Sequence, residues 1–327
     1  YPPKVSIEQT SSEVTASYKS GIVSGKSILD LTGGFGVDSY YFSKSFQKVI
    51  HCEITKNLSE IAAHNFKQLA ILNIETISEN GLEYLKKSTE IFDVIYIDPS
   101  RRNDVKEKVF LLKDCEPNIP ENIDLLFKKT KTILLKNSPI LDITSAINEL
   151  KFVKEIHVVA INNDVKELLY ILEKGYCKEI LIKTINFTKK SAQKFHFNYH
   201  KKPVSSYQEP LEYLYEPNAA VLKSGAFHEI STQLNIFKLH QHSHLYTSKK
   251  RIEFPGREFK IIAVLPYDKK QILKLLPNKK ANITTRNFHK TVAQIRKELK
   301  IKDGGDIFLF FTTNIHNKFI CMYCKKL

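Results

Sequence analysis

Residues 26–53, KSILDLTGGFGVDSYYFSKSFQKVIHCE, restrict the fold of this chain more than any other stretch. A short apolar run of strand type, 27–31, carries Asp30 near its end. The glycine-rich turn Thr32, Gly33, Gly34, Phe35, Gly36 follows, then a helix-length stretch to Lys44, then a second strand from Lys48 that ends at Glu53. At the glycines the backbone can approach a ligand closely, where a Cβ would collide. An acidic residue at the next strand's end offers an acceptor to ribose hydroxyls. The stretch reads as a nucleoside-cofactor site, against the plainer alternative of an ordinary tight turn.

Two features narrow the cofactor. The dinucleotide fingerprint G-x-G-x-x-G needs a third glycine for close helix packing, and Ser39 stands at that position. The charge of Asp30 would also meet the phosphates of a dinucleotide. The pattern D-x-x-x-G-x-G, met by Asp30, Gly34 and Gly36, resembles the first motif of class I S-adenosylmethionine-dependent methyltransferases. The resemblance implies S-adenosylmethionine as cofactor.

Strand and helix patterns alternate downstream of this motif. A helix is expected over 58–69, a strand over 74–78, a helix carrying Leu82 and Leu85, and a strand over 92–97. Further strands are expected over 132–136, 153–161 and 179–185, with helices over 142–150 and 165–173. Such alternation predicts a doubly wound α/β sheet. Asn80, in the loop after the third strand, stands where it can address an adenine ring. After a strand at 194–199 that pairs with its predecessor, 203–206 reads as a linker. A second, smaller α/β domain then follows: a helical segment over 218–234, strands over 259–265 and 280–285, helices over 268–276 and 291–299, and a hairpin of 307–313 with 318–324.

Charge divides the 327 residues at the same place. Residues 1–200 hold 27 Lys and Arg against 25 Asp and Glu, whereas 201–327 hold 23 against 10, so nearly all of the net +15 sits in the C-terminal part. A local excess of that size suits a polyanion, most often nucleic acid; the alternative is a solubilising surface. The expected domains are therefore 1–200, for the cofactor, and 201–327, for RNA. Phe288 and His289, after Arg286 in a basic loop, read either as base-stacking residues or as caps on the core. Lys249, Lys250 and Arg251 are phosphate contacts or a solvated face.

With 42% hydrophobic residues and no apolar run near the ~18 residues that a membrane span requires, the chain reads as soluble and cytoplasmic. Five cysteines without regular spacing suit a reducing compartment. Cys321 and Cys324 fall on opposite faces of a strand and read as structural. No metal site is expected, and His240, His242 and His244 read as solvated loop residues. The sequence opens at Tyr1 rather than Met, as a fragment lacking its upstream part would.

The chemistry is expected at Asp98, Pro99, Ser100 and Arg101. They follow a strand about 45 residues after Glu53, a spacing suited to the fold. Class I methyltransferases acting on amino groups carry Asp/Asn-Pro-Pro-aromatic there. The exocyclic amine of a base has its lone pair delocalised into the ring. A carboxylate and the carbonyls beside a proline can accept its N–H bonds and aim the nitrogen at the methyl carbon, so positioning supplies most of the rate, with the carboxylate taking the proton late. Ser100 and Arg101 depart from the motif; a guanidinium can stack on a base or hold a phosphate. An ordinary strand ending in an Asp-Pro turn is the alternative.

DLTGGFGVDS is similar to the first motif of the guanine-N2 methyltransferases of ribosomal RNA and of the cap trimethylguanosine synthases. More closely, EQTSSEVTASYK, DPSRR, LKNSPILDI, VVAINNDVKELL, YEPNAAVLKSGA and ITTRNFHKTVAQIRKELKIKDGGDIFLF resemble class I methyltransferases with a C-terminal THUMP-like domain, over nearly the whole chain. The resemblance implies a cofactor lying over Thr32, Gly34 and Gly36, with Glu53 on the ribose, Asn80 by the adenine and Asp98 facing the methyl. Gln9, Ser11 and Asp38 are implied contacts to the methionine end; hydroxyls ahead of the first helix suit an anion, though Ser11 or Ser12 equally suits a cap. A THUMP-like domain implies RNA as partner. The expected activity is transfer of a methyl group to a base nitrogen of structured RNA, guanine N2 favoured. The alternatives are a protein or small-molecule amine as acceptor, or a protein that binds S-adenosylmethionine and RNA without turnover.

Overall fold

The computed structural model describes residues 10–101, 111–199 and 203–327. The chain divides into two compact units, Tyr1–Ala160 with Val165–Lys183, and Ile161–Asp164 with Thr184–Leu327. In chain order the first contains α1 (Glu13–Ile22), β1 (Ser27–Asp30), α2 (Val37–Ser43), β2 (Lys48–Cys52), α3 (Lys56–Gln68), β3 (Ile74–Ile77), α4 (Gly81–Lys87), β4 (Phe92–Ile97), the short β5 (Ser100–Arg101) and β6 (Cys115–Glu116), α5 (Ile119–Lys129), β7 (Thr130–Asn137), α6 (Ile143–Glu149), β8 (Val153–Ile161) and β9 (Asp164–Glu173).

The strands lie in the order β8-β9-β7-β4-β1-β2-β3. From β3 to β7 every neighbouring pair is parallel, and β9 runs antiparallel to β7. A strand covered on both faces needs a continuous apolar run rather than alternation. Accordingly Leu29 stands in register with Ile50 on one side and Ile95 on the other, all three fully buried. Burying each such side chain contributes about 1.5–3 kcal/mol. Because the five strands are parallel, the residues that end them gather along one edge, where open α/β sheets bind ligands.

A helix is expected over 165–173, but the chain forms β9 there. Asn162 and Asn163 take left-handed backbone (φ 49° and 66°) and reverse the chain between β8 and β9. Two consecutive positive-φ residues are what a tight hairpin with the right twist requires. The Leu- and Glu-rich run favours helix by propensity. Inside the sheet Leu168, Leu169, Tyr170 and Leu172 are all fully buried, and that burial outweighs propensity.

The edge strands β10 (Leu181–Phe187) and β11 (Ala192–Asn198) neighbour each other. The remainder of the second unit comprises β12 (Tyr213–Pro217), α7 (Ala219–Ser224), α8 (Glu229–Gln233), β13 (Phe237–Lys238), β14 (Tyr246–Ser248), β15 (Gly256–Pro266), α9 (Lys269–Leu275), β16 (Asn282–Arg286), α10 (Val292–Leu299), β17 (Ile307–Thr313) and β18 (Phe319–Lys326). Its seven-stranded sheet has the order β13-β14-β12-β15-β18-β17-β16. The single helix expected over 218–234 breaks in two at Gly225, which caps α7 in the left-handed region (φ 76°).

The two faces of β17 and β18 serve two apolar clusters. Leu309, Phe311 and Cys321 pack under α9 and α10 with Ile272 and Ile295, while Phe310, Met322 and Cys324 pack with Leu214, Leu239 and Phe259. Cys321 and Cys324 thus occupy opposite faces as buried free thiols. In the histidine run His242 is exposed as expected, but its two neighbours depart from expectation. His240 is buried between Asn317 and Asn287, at 3.1 and 2.9 Å, and His244 stacks on Phe227 with ring centroids 3.7 Å apart, so neither is a solvated side chain. Among the described residues no cluster suits a metal ion, and no helix is long and apolar enough to cross a membrane.

Candidate active site

Three loops meet at the parallel edge, and hydrogen bonds from the glycine turn tie them together. The Gly33 amide donates to the Cys52 carbonyl (2.7 Å), the Gly34 amide to Glu53 Oε2 (2.9 Å), and the Asp98 amide to Thr32 Oγ1 (2.7 Å). The ends of β1, β2 and β4 are therefore one constellation.

The glycines differ in what they leave room for. A Cβ on Gly33 would lie 2.1 Å from the His51 ring, and one on Gly36 2.3 Å from Phe66, so both are needed for packing. Gly34 is left-handed (φ 55°), and a Cβ there would meet nothing nearer than the Thr32 carbonyl at 3.9 Å. Its missing side chain keeps a space open above the turn. Gly81 belongs to the same edge: a Cβ on it would stand 2.4 Å from the Leu31 carbonyl, which seats α4 directly against the β1 loop.

Asp30 lies beneath the turn. It is 1% exposed, and its oxygens accept from the Thr32 amide (3.1 Å) and the Ser39 hydroxyl (2.7 Å). Burial pushes its carboxyl up to about 7, against the lowering effect of those two bonds. Its part in holding any ligand is to shape the turn. Glu53 folds its carboxylate over the turn in the same way, accepting from Gly34 and, at 2.8 Å, from the Thr55 amide.

Asn80 uses its carbonyl oxygen to cap α4, accepting from the Leu82 and Glu83 amides at 2.9 and 3.3 Å. Its amide nitrogen is the part left to face a ligand. Ser12, rather than Ser11, caps α1, accepting from the Thr15 amide (3.3 Å). Ser11 turns to the buried cluster described next. Ser100 is exposed and pairs through backbone with Glu116, as Arg101 does with Cys115. Gln9, Arg102 and the side chain of Arg101 lie outside the described residues.

A charged cluster closes the side of the site nearest β7 and β9, and its members Lys19, Tyr96, Lys136 and Glu167 escape a reading of the sequence. Lys19 is fully buried; its ammonium donates to both oxygens of Glu167 (2.7 and 2.8 Å) and to Ser11 Oγ (2.9 Å), and lies 3.2 Å from Asp38 Oδ1. Asp38 Oδ2 accepts from the Tyr96 hydroxyl (2.6 Å) and the Ser11 hydroxyl (2.9 Å). At the end of β7, Lys136 forms an ion pair with Asp98, the two side chains being 12% and 33% exposed.

Burial raises the pKa of Asp98, and the neighbouring Lys136 ammonium opposes that rise. For Lys136 burial disfavours the charge, but Asp98, Asp38 and Glu167 outweigh it and push the pKa up. Lys136 carried a legible signal, since a charged residue directly follows the apolar run Ile133-Leu134-Leu135 of its strand. Glu167 was hidden by the helical reading of its segment. Lys19 looks like any surface lysine of an amphipathic helix.

The cluster sets two lysines, Lys19 and Lys136, among three acids, Asp38, Asp98 and Glu167, so acids outnumber bases by one in a poorly solvated place. Such an excess favours a cationic ligand. Together the edge offers an open backbone turn, carboxylates at the ends of β2 and β4, and an unbalanced charge suited to a sulfonium.

Comparison with known proteins agrees with this architecture. Residues 213–255 match the model of a ferredoxin-like domain and 256–326 that of a THUMP domain-like family. A crystal structure of a "putative methyltransferase" from Porphyromonas gingivalis W83 superimposes with a TM-score of 0.89 at 32% identity, covering 100% of this chain and 83% of that one. A protein so described from Streptococcus mutans, in complex with SAH, and an rRNA methylase from Streptococcus thermophilus each align with 49% of the chain, at 14% identity and a TM-score of 0.35, covering 97% and 94% of their own lengths. No curated protein matches the sequence. With the whole of this chain matched to the Porphyromonas relative at 32% identity and the C-terminal model in place, the chain belongs to the family of class I methyltransferases with a C-terminal THUMP-like domain.

Proposed function

We propose that the protein transfers a methyl group from S-adenosylmethionine to a base nitrogen of structured RNA, guanine N2 favoured, in the cytoplasm. The observation that carries the reading is the convergence at one edge of the open Gly34 turn, Glu53 and Asp98-Pro99, beside a cluster in which acids outnumber lysines. When bound, S-adenosylmethionine supplies an electrophilic methyl on a sulfonium.

The chain's residues position and receive. Glu53 offers lone pairs to ribose hydroxyls, and the Asn80 amide nitrogen donates to a ring acceptor of the adenine. Asp38 and Ser11 stand on the side assigned to the methionine end, with Gln9 proposed beside them. Asp98 and the carbonyls flanking Pro99 accept the N–H bonds of the acceptor amine, which turns its lone pair towards the methyl. Methylation of the amine by the bound cofactor would release one N–H proton, which the Asp98 carboxylate is placed to accept and pass to solvent. Lys136 keeps that carboxylate in place between turnovers. Ser100 and Arg101, where related enzymes carry a proline and an aromatic residue, border the acceptor.

The strongly basic stretch 201–327 supports RNA as the substrate, and it forms most of the second unit. Calorimetry with the purified chain tests the cofactor: micromolar uptake of S-adenosylmethionine is expected, and none would remove the basis of the reading. Tritiated-methyl transfer into total RNA from cells lacking the protein tests the acceptor. Labelling above that of wild-type RNA is expected, and Asp98→Ala should abolish it while sparing cofactor affinity. Equal labelling of both RNAs, with activity retained on a protein fraction after removal of 201–327, favours a protein amine instead.

A further inference from the structure

We propose that His289 and Phe319, braced edge-on by Tyr267, form a stacking platform in the second unit for an unpaired base of the RNA, with Lys269 and Lys318 on the flanking phosphates; this rests on RNA being the partner. The rings gather where β15, β16 and the β17–β18 hairpin end. The Tyr267 amide donates to the Phe319 carbonyl (3.1 Å), which fixes the two side by side. The His289 ring lies 4.3 Å from Phe319, tilted by 41°, and 5.9 Å from Tyr267.

Phe288 anchors the group from below. It is packed against the cluster of Ile272, Leu299 and Phe311, 5.1 Å from both Tyr267 and Phe319. The two candidate aromatic residues of this loop therefore part company: Phe288 caps the core, whereas His289 is exposed and Phe319 is 42% exposed. Two exposed rings on a rigid base, tilted to one another by 41°, each present a flat face on which a nucleobase can stack, and every base has a face to offer.

Charge around the platform selects a nucleic acid. Lys290 lies 4.8 Å above the Tyr267 ring and is paired with Glu298 at 2.6 Å, and Asp268 is held as the cap of α9. Lys269 and Lys318 are exposed on either side, and among the described residues neither has a carboxylate within ion-pair distance. An acidic peptide would use the lysines but has no planar face for the rings.

The test uses the full chain and a short single-stranded RNA carrying 2-aminopurine at each position in turn, plus a terminal dye for anisotropy. Quenching of at least one 2-aminopurine on binding is expected. His289→Ala with Phe319→Leu, which keeps an apolar side chain in contact with Phe288, should remove the quenching and weaken binding roughly tenfold, in line with alanine substitutions at stacked bases. Lys269→Ala with Lys318→Ala should weaken binding but leave the quenching at saturation unchanged. Binding by anisotropy without quenching at any position, or quenching unaltered in the ring variant, would overturn the platform and leave the RNA reading standing. Absence of any RNA binding would overturn both.

Discussion

The two units hold their charges in opposite ways. At the edge of the first sheet Lys19, Glu167 and Asp38 are almost sealed from solvent and grouped as ion pairs, and Lys136 is mostly buried beside Asp98. In the second unit Lys249, Lys250, Lys269 and Lys318 stand on the surface, and the paired arginines Arg257 and Arg286 converge on one buried acid, Glu216. A buried charge is held by geometry and matters singly; a surface charge is screened and matters by number. The first arrangement suits the placement of one small cation, and the second suits attraction of a long polyanion.

That contrast breaks most decisively at Lys19. Lys19→Met leaves Glu167 and Asp38 buried without their cation and should lower unfolding free energy by about 3–5 kcal/mol. Adding Glu167→Leu should restore part of it. Chemical denaturation measures both, and a loss below ~1 kcal/mol would show the cluster to be hydrated.

Asp30 gives the next largest effect. Its folded pKa of about 7 lies above the unfolded value, so the folded state binds the extra proton. Stability should then be greatest below about pH 4 as far as this group is concerned, and fall as pH rises towards 7, by an amount on the order of 4 kcal/mol. Asp30→Asn should flatten that part of the stability profile.

Lys136 sharpens the same comparison inside the site. Its ammonium opposes the burial that raises the Asp98 pKa, so Lys136→Met should raise that pKa further. The acid limb of kcat/KM should move to higher pH, by about one unit. An unchanged limb, with only KM altered, would make Lys136 a packing residue. On the other side, Lys249→Ala with Lys250→Ala should alter neither folding nor the pH profile. The pair should reduce the salt dependence of RNA binding by roughly 0.7 for each phosphate of a single strand that is no longer neutralised. A slope that stays put would assign those lysines to solvent.

The doubly wound sheet could be read from composition and punctuation because its strands are apolar runs ended by glycine, asparagine or acid. Leu29, Val94 and Ile133 need no partner to declare themselves buried. The segment 165–173 could not be read this way, since Leu and Glu suit a helix and only the Asn162–Asn163 reversal and burial beside β7 make it a strand. That one error also concealed Glu167. The expected solvent exposure held for His242 but failed for His240 and His244 for a related reason: Phe227 and Asn287, which enclose His244 and His240, are distant in sequence.

From the sequence alone came the glycine turn after the first strand, the acids at Glu53 and Asp98, the parallel sheet and the basic C-terminal part, because each is written locally in residue type and period. Tertiary structure alone decided that Lys19, Asp38 and Glu167 share one buried ion cluster, that Lys136 meets Asp98, and that Asp30 supports the turn from below. Those contacts join residues up to 148 positions apart, and the cost of burying a charge is set by whatever the fold brings beside it.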